Sequence, residues 1–215
     1  MKRRYCLAPT LFMVLLFFSM TALAQEEAVK APRNYLSAKI GAYIPTSDLD
    51  EFDNGYYLDL MYNWYLSRYA ALETGFSFYG TEATASGTSP ILGSYTETDT
   101  VVVMPLKANI KGILPFPWGE LYIGGGVGLY FASVEAMVTS TGLGAFYFTE
   151  SDTVPGAQVK TGANFNITES FFMGVEGEYM VTDTAEFSGQ AFGMPITIET
   201  DLNGYTLSAV FGFRF

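Results

Sequence analysis

Histidine is absent from this 215-residue chain, and cysteine occurs once, as Cys6. Without histidine, neither a Ser-His nor an Asp-His catalytic arrangement can form. The closest pair of acids in a periodic segment is Glu176 and Glu178, and pairing with Lys160 or Lys39 is a simpler role for them than glycosidase chemistry. We therefore predict no catalytic residues, no enzyme activity and no cofactor.

Charge is also scarce: charged residues make up 15% of the chain, whereas aromatic residues reach 16% and glycine occurs 22 times. This composition is typical of β-rich proteins rather than helical ones. Apart from the N-terminus, the sequence lacks any run of apolar residues long enough for a membrane helix.

The N-terminus has the three parts of a secretory signal peptide. Basic residues at positions 2–4 precede an apolar core from Leu11 to Phe18, and Ala22-Leu23-Ala24 follows as a small-residue cleavage site. An uncleaved membrane helix from Tyr5 to Gln25 is the alternative, and we expect cleavage after Ala24. The predicted division is a signal peptide at 1–24, a polar lead-in at 25–33 and one domain at 34–215. Cys6 would leave with the signal.

Acidic residues dominate the predicted mature chain. Removal of Lys2, Arg3 and Arg4 from the 11 basic residues leaves 8 against 22 acidic ones, a net charge of −14. A charge of this sign disfavours nucleic acid as a partner.

The mature sequence alternates apolar and polar residues with a period of two, which indicates strands with two different faces. In the first segment, for example, Leu36, Ile40 and Ile44 share one face and Lys39 lies on the other. The predicted strands are Tyr35–Ile44, Tyr56–Leu66, Tyr69–Tyr79, Thr100–Lys111, Leu121–Phe131, Gly156–Ile167, Phe171–Val181 and Gly204–Phe215.

Short and long connections alternate between these segments. Short turns are predicted at 67–68, 112–120 and 168–170, and long loops at 45–55, 80–99, 133–155 and 182–203. This alternation is the layout of transmembrane β-barrels, and an even number of strands puts both termini on the short-turn side.

A soluble lipocalin-like barrel would alternate in the same way, with its apolar face inside. The strand length of ten residues or more favours a membrane barrel instead. Aromatic residues at the strand ends favour it too: some of them point inward, but together they resemble two interfacial girdles. These are Tyr62, Trp64, Trp118, Phe171 and Phe213 near the short turns, and Tyr43, Tyr56, Tyr79 and Tyr130 near the long loops.

Four segments carry a specific resemblance. The segments Val103–Asn109, Leu121–Gly128 and Ile167–Phe172 look like the fourth strand, fifth strand and sixth turn of small barrels, and the chain ends in Phe211-Gly212-Phe213-Arg214-Phe215. The chain resembles the outer-membrane-protein β-barrel domain family across its mature length. The resemblance implies an all-β, eight-stranded antiparallel transmembrane barrel in the outer membrane of a Gram-negative-type cell, with outer-membrane lipid and the barrel-assembly machinery as partners. It also implies an assembly signal in the last strand, at Tyr205, Leu207, Phe211, Phe213 and Phe215.

Nine charged residues in the predicted strands all lie opposite the apolar face. A charge facing lipid at mid-depth costs roughly 2–4 kcal/mol for Lys or Arg, so their face should line the lumen. We expect a plug of mutual ion pairs, because eight strands leave room only for side chains; a narrow polar conduit is the alternative. The nine are Lys39, Asp59, Glu73, Lys107, Lys111, Lys160, Glu176, Glu178 and Arg214.

The predicted long loops contain 14 acidic residues and no basic ones. Most such runs are solvated loops, and we predict no metal site. The weak metal candidates Asp48, Asp50 and Asp53 form the densest cluster, but their spacing misses the calcium-loop pattern.

Two backbone features need an explanation within a strand. Gly124, Gly126 and Gly128 resemble a phosphate loop only superficially, and we expect them to make room for long side chains from opposite strands. Pro105 cannot donate a ladder hydrogen bond, so we expect a bulge or a weak spot in the fourth strand.

Two functions remain open. The first is a structural or surface-interaction role through the acidic extracellular loops, for a ligand that the sequence does not specify. The second, suggested by the resemblance, is passive transfer of small apolar molecules through a narrow conduit. The latter needs an apolar cavity near the loops, and the aromatic loop residues compatible with it are Phe146, Tyr147, Phe148, Phe187 and Phe192.

Overall fold

The computed structural model describes residues 33–89, 93–142, 144–191 and 194–215. The predicted signal peptide and nearly all of the lead-in lie outside these ranges, as does Phe192. No helix within the described ranges has the length and apolar character needed to cross a membrane. The strands are β1 Tyr35–Pro45, β2 Gly55–Ser67, β3 Ala70–Ser89, β4 Gly93–Phe116, β5 Gly119–Ser140, β6 Gly144–Asn166, β7 Phe171–Thr182, β8 Thr184–Ala191, β9 Met194–Asp201 and β10 Gly204–Arg214, and a 3₁₀ turn covers Ser47–Leu49.

Eight of these strands form a closed antiparallel barrel in the order β1-β10-β7-β6-β5-β4-β3-β2. The ring closes where β1 pairs with β10, from Tyr35 opposite Arg214 to Pro45 opposite Gly204. Closure leaves no unpaired strand edge within the ring. A sheet that spans a bilayer must be closed in this way, because lipid offers its backbone N–H and C=O groups no hydrogen-bond partners. The predicted eight-stranded antiparallel barrel is confirmed.

The apolar face of every barrel strand points outward. In β2, Leu58 and Leu60 are 45% and 38% exposed, whereas Tyr57, Asp59 and Met61 between and beside them are buried. The same alternation runs round the barrel and leaves a continuous apolar belt at the surface. A belt of this size is far larger than soluble proteins tolerate and suits a hydrocarbon surrounding.

Two of the predicted long loops are strand, and a third contains a hairpin. β3 and β4 continue past the belt and pair from Thr81–Val101 to Ser89–Gly93, and β5 and β6 pair as far as Ser140–Gly144. The 182–203 loop contains the separate hairpin β8–β9. The loop prediction for 80–99 and 133–155 is wrong, because the contrast between apolar and polar faces weakens once both faces of a strand meet water.

The four extended strands form one sheet above the belt, which we call the protruding sheet: residues 81–89, 93–101, 133–140 and 144–153. Its strand order is β3-β4-β5-β6, since β4 also pairs with β5 up to Tyr95 opposite Ser140. β2 begins lower, and its last pair with β3 joins Tyr56 and Gly80.

The predicted turn at 112–120 is shorter in the structure. β4 runs on to Phe116 and β5 starts at Gly119, so only residues 117–118 separate them. Pro105 produces no bulge between β3 and β4, because the register is the same on both sides of it. The ladder lacks only the pairs of Ser77 and Phe78, between Phe76–Leu106 and Tyr79–Val103, which makes this a local interruption of pairing.

Candidate functional site

Eight of the nine predicted lumen charges meet in the middle of the barrel, and all are between 1% and 5% exposed. They come from six strands because the period of two aims every second residue inward. The group holds four lysines and four carboxylates, so its formal charges balance. Its members are Lys39, Asp59, Glu73, Lys107, Lys111, Lys160, Glu176 and Glu178.

Glu73 of β3 contacts the most cations in this group. Its Oε2 lies 2.8 Å from Lys111 Nζ and 3.9 Å from Lys39 Nζ, and its Oε1 lies 2.8 Å from Lys160 Nζ. Asn109 also donates a hydrogen bond of 3.1 Å to Oε1. One carboxylate thus joins lysines from β1, β4 and β6 across the width of the lumen.

Lys107 anchors the opposite side of the network. Its Nζ lies 2.7 Å from Glu178 Oε1 and 3.7 Å from Asp59 Oδ2, and it donates to the hydroxyl of Tyr57 at 3.0 Å. Tyr57 in turn donates to Asp59 at 2.6 Å. Lys160 lies 2.7 Å from the other oxygen of Glu178, so this carboxylate contacts two lysines.

Lys39 and Glu176 connect the two sides. Lys39 Nζ lies 2.8 Å from Glu176 Oε1 and 3.2 Å from Asp59 Oδ2. Tyr122 donates a hydrogen bond of 2.8 Å to Glu176 Oε2. Removal of a single partner from such a network leaves a buried charge without compensation, which is strongly destabilising.

Arg214 does not join this group. It lies at the short-turn end of the barrel, where its guanidinium donates to Asn166 at 2.6 Å and sits 4.4 Å from the centre of the Phe172 ring. A further Arg214 nitrogen lies 3.9 Å from Glu120.

Glu120 is a lumen residue that the sequence reasoning missed. It accepts hydrogen bonds from Tyr65 at 2.5 Å and from Asn164 at 2.8 Å, and it is 6% exposed. The predicted turn at 112–120 hid it. Parity could have found it, because Glu120 lies two residues before the inward-facing Tyr122.

Three of the predicted girdle tyrosines are inside the barrel. Tyr43, Tyr79 and Tyr130 are 0–1% exposed and form a layer above the ion pairs, and Tyr43 and Tyr79 pack with ring centres 4.4 Å apart. Parity aims them inward, so these three do not contribute to an interfacial girdle. Tyr56, by contrast, lies outside at 50% exposed.

An apolar cluster fills the lumen above these tyrosines. It includes Val101, Val103, Val134, Val154 and Met180, all less than 7% exposed, and it is covered by residues from outside the eight barrel strands. The covering residues are Leu49 of the 3₁₀ turn, Ala185 and Phe187 of β8, and Leu202 after β9.

The three glycines of β5 lie beside long side chains of the adjacent strand β4, rather than of opposite strands as predicted. A Cβ on Gly124 would approach Lys111 Cγ to 2.9 Å, and one on Gly128 would approach Lys107 Cγ to 3.3 Å. On Gly126 it would collide with the backbone oxygen of Ala108. The glycines therefore leave the space through which the two lysines reach the network.

The loop acids hold the upper elements in place. Asp48 accepts a hydrogen bond of 3.0 Å from the amide of Asp201, and Asp152 accepts one of 2.9 Å from the amide of Glu186. Within the described residues, no group of three or more acidic, His or Cys side chains is arranged to hold a metal, and Asp50 and Asp53 are no exception.

The inner face of the protruding sheet, which continues the lumen face, carries two acids on β4. Asp99 lies opposite Ala83 of β3, and Glu97 lies opposite Ala85. Partial burial and the nearby charge of Glu97 raise the pKa of Asp99 above its ordinary value. All seven basic residues in the described ranges lie in or below the belt, so these acids have no cation at their own level.

Comparison with known proteins agrees with this architecture. The family model described as outer membrane protein beta-barrel domain matches residues 10–215. No curated protein sequence matches the chain.

Three solved structures are similar to this chain at low sequence identity. The outer membrane protein OprG from Pseudomonas aeruginosa is 11% identical, with 86% of this chain and 97% of that chain covered and a TM-score of 0.54. The outer membrane protease OmpT from Escherichia coli is 11% identical, with 88% and 99% covered and a TM-score of 0.53. The attachment invasion locus protein Ail of Yersinia pestis is 15% identical, with 86% and 100% covered and a TM-score of 0.48. The chain belongs to the outer membrane protein β-barrel domain family, and its apolar belt is the surface that meets the hydrocarbon of the outer membrane.

Proposed function

We propose that this protein is a non-enzymatic outer-membrane barrel with a sealed lumen, which presents its acidic extracellular part as an interaction surface. The observation that carries the proposal is the stacking of three filled layers in the lumen. Aromatic and polar side chains occupy the periplasmic end, eight balanced charges the middle, and tyrosines with an apolar cluster the extracellular end.

The balanced charges support a sealed lumen. An ion passing Glu73 or Glu178 would have to displace lysines at 2.7–2.8 Å, in a region where the side chains are almost wholly buried. Because these pairs are buried, separating one of them costs free energy: each partner would remain buried without its opposite charge. Eight strands also leave a lumen that side chains fill, rather than an aqueous channel.

The absence of histidine from the whole chain supports the non-enzymatic part of the proposal. Glu176 and Glu178, two residues apart among the central charges of the lumen, are engaged with Lys39, Lys107 and Lys160. Neither carboxylate has an open side from which a substrate could approach.

Planar-bilayer recording of the purified, refolded barrel tests the sealed lumen. We expect no stepwise conductance in about 1 M salt, a concentration at which surface charges are largely screened. Glu73→Gln serves as the diagnostic variant. Regular single-channel steps in the wild-type protein, with an ion selectivity that changes in Glu73→Gln, would show that the lumen is a conduit.

A second candidate, transfer of small apolar molecules, is favoured by one observation. The upper lumen is apolar, and part of its cover belongs to the separate hairpin β8–β9, through Ala185 and Phe187. Displacement of that hairpin would expose an apolar cup. The cup leads down to the layer of ion pairs, so transfer would need an exit above the network, whereas a sealed barrel needs none.

A further inference from the structure

The upper part of β3 is an unprotected strand edge. β2 pairs with β3 only as far as Gly80, and one further backbone bond of 3.0 Å runs from the amide of Asp53 to the carbonyl of Glu82. In the described residues beyond Glu82, no strand pairs with this side of β3, while β4 pairs with its other side up to Ser89.

The register tells which backbone groups are free. Because the carbonyl of Glu82 points to the open side, the residues of equal parity point the same way. Thr84, Ser86 and Thr88 therefore each present an unpaired N–H and C=O along the edge. Natural sheets usually protect such an edge with lysine, proline or a bulge, and residues 83–88 contain none of these.

Small side chains lie beside this edge on the inner face, with acids directly behind them. Ala83 separates the edge from Asp99, and Ala85 separates it from Glu97. A strand added to β3 would have its inner-face residues about 10 Å from the Cα atoms of these acids, which is the sum of two strand spacings. The extended side chain of lysine or arginine spans that gap across an alanine.

The acids favour such a partner electrostatically. Glu97 and Asp99 lie on one strand and repel each other, and the raised pKa of Asp99 reflects partial burial first and this repulsion second. Their neighbours across the β5 side are Val138 and Ala136, which bring no positive charge.

We propose that the upper edge of β3 binds an extended peptide segment of another protein by strand addition, and that the segment carries basic residues at alternate positions facing Glu97 and Asp99. Main-chain bonds to Thr84, Ser86 and Thr88 supply the affinity common to strand addition, and the acids supply the selectivity. The inference rests on the proposed interaction role of the extracellular part and names its partner class.

Titration of the full-length refolded barrel with a labelled seven-residue peptide of alternating lysine and threonine tests the proposal. We expect saturable binding that weakens with salt. The double variant Glu97→Gln/Asp99→Asn should weaken binding about ten-fold, as expected for the loss of two partly exposed ion pairs. Glu135→Gln is the matched control, because this acid lies on the outer face of the same sheet and should leave binding unchanged.

The backbone part of the proposal has its own variants. Ser86→Pro removes one free N–H at an edge position that tolerates proline, and should abolish binding, whereas Ser86→Ala should retain it. Amide exchange at Thr84, Ser86 and Thr88 should slow when the peptide is bound, which charge attraction alone would not cause.

Equal binding by wild type and Ser86→Pro, or unchanged amide exchange at saturation, would overturn strand addition. Equal binding by wild type and the Glu97→Gln/Asp99→Asn double variant would overturn the basic specificity. No binding at millimolar peptide would overturn both. Bilayer conductance is unaffected by these outcomes, so failure of the strand-addition proposal and failure of the sealed lumen are distinguishable.

Discussion

At the scale of single residues, substitution of Glu73 gives the most direct test of the ion-pair network, because this carboxylate compensates three lysines at once. Glu73→Gln keeps the shape but removes the charge that faces Lys39, Lys111 and Lys160. We expect a loss of about 3–5 kcal/mol in the free energy of unfolding, which is typical when one partner of a buried ion pair is removed. Urea unfolding of the refolded barrel in detergent micelles or thin bilayers measures it.

Glu135→Gln is the control for this measurement, since Glu135 is exposed on the protruding sheet. The same chemical change there should alter the free energy of unfolding by less than about 0.5 kcal/mol. If both variants unfolded at the wild-type urea concentration, the lumen charges would be hydrated rather than buried, and the sealed lumen would be untenable.

The inward position of the charged residues follows from sequence parity, whereas their partners do not. Period two places Lys107 and Glu178 on the lumen face without saying that their atoms lie 2.7 Å apart, since β4 and β7 are not neighbours in the barrel. Pairs across a lumen depend on barrel tilt and stagger, which a linear sequence does not reveal. Glu120 is the opposite case: it falls in a predicted turn, although the parity of β5 places it on the lumen face.

At the scale of the strand, β10 carries the proposed assembly signal. Tyr205, Leu207, Phe211 and Phe213 of β10 and the following residue Phe215 all lie on the outside and are 36–63% exposed. We expect Phe215→Ala to lower the amount of heat-modifiable barrel in outer-membrane fractions several-fold. Refolding of the purified variant in detergent should match wild type, because Phe215 packs only at the rim, with its ring centre 6.1 Å from that of Tyr62.

Phe131→Ala is the matched control, since Phe131 is also an outward aromatic residue, 42% exposed, on β5. It should assemble in cells like wild type. Equal cellular levels of Phe215→Ala and wild type would remove the proposed signal, and equal losses in both variants would mean that any rim aromatic residue serves the same purpose.

Strand ends were predictable only where one face of the strand meets hydrocarbon. β7 and β10 lie almost wholly in the belt, and their observed bounds differ from the predicted ones by one residue. β3 runs ten residues past its predicted end at Tyr79, through a segment of Gly, Thr, Ala and Ser with one Glu. Both faces of that segment are polar or small, so no apolar period marks it as a strand.

At the scale of the molecule, the same strands pass from a hydrocarbon environment in the belt to water above it. In the belt, β4 aims Lys107 and Lys111 inward while Leu106 and Ile110 face outward at 54% and 57% exposed. Higher up, the same strand aims Val101 and Val103 into an apolar core. The lower barrel therefore has a charged interior and an apolar exterior, and the upper part is arranged like a soluble protein.

This division predicts that the hairpin β8–β9 can be removed without loss of the barrel. Replacement of residues 184–201 by a two-residue turn deletes Ala185 and Phe187 from the apolar cluster but leaves all eight ring strands and the ion pairs intact. Loss of a buried phenylalanine should cost about 2–3 kcal/mol of folding free energy. The shortened protein should remain heat-modifiable on gels and silent in planar bilayers, and it should bind an apolar fluorescent dye that the wild type excludes. Dye binding accompanied by conductance would mean that the hairpin, rather than the ion network, seals the lumen.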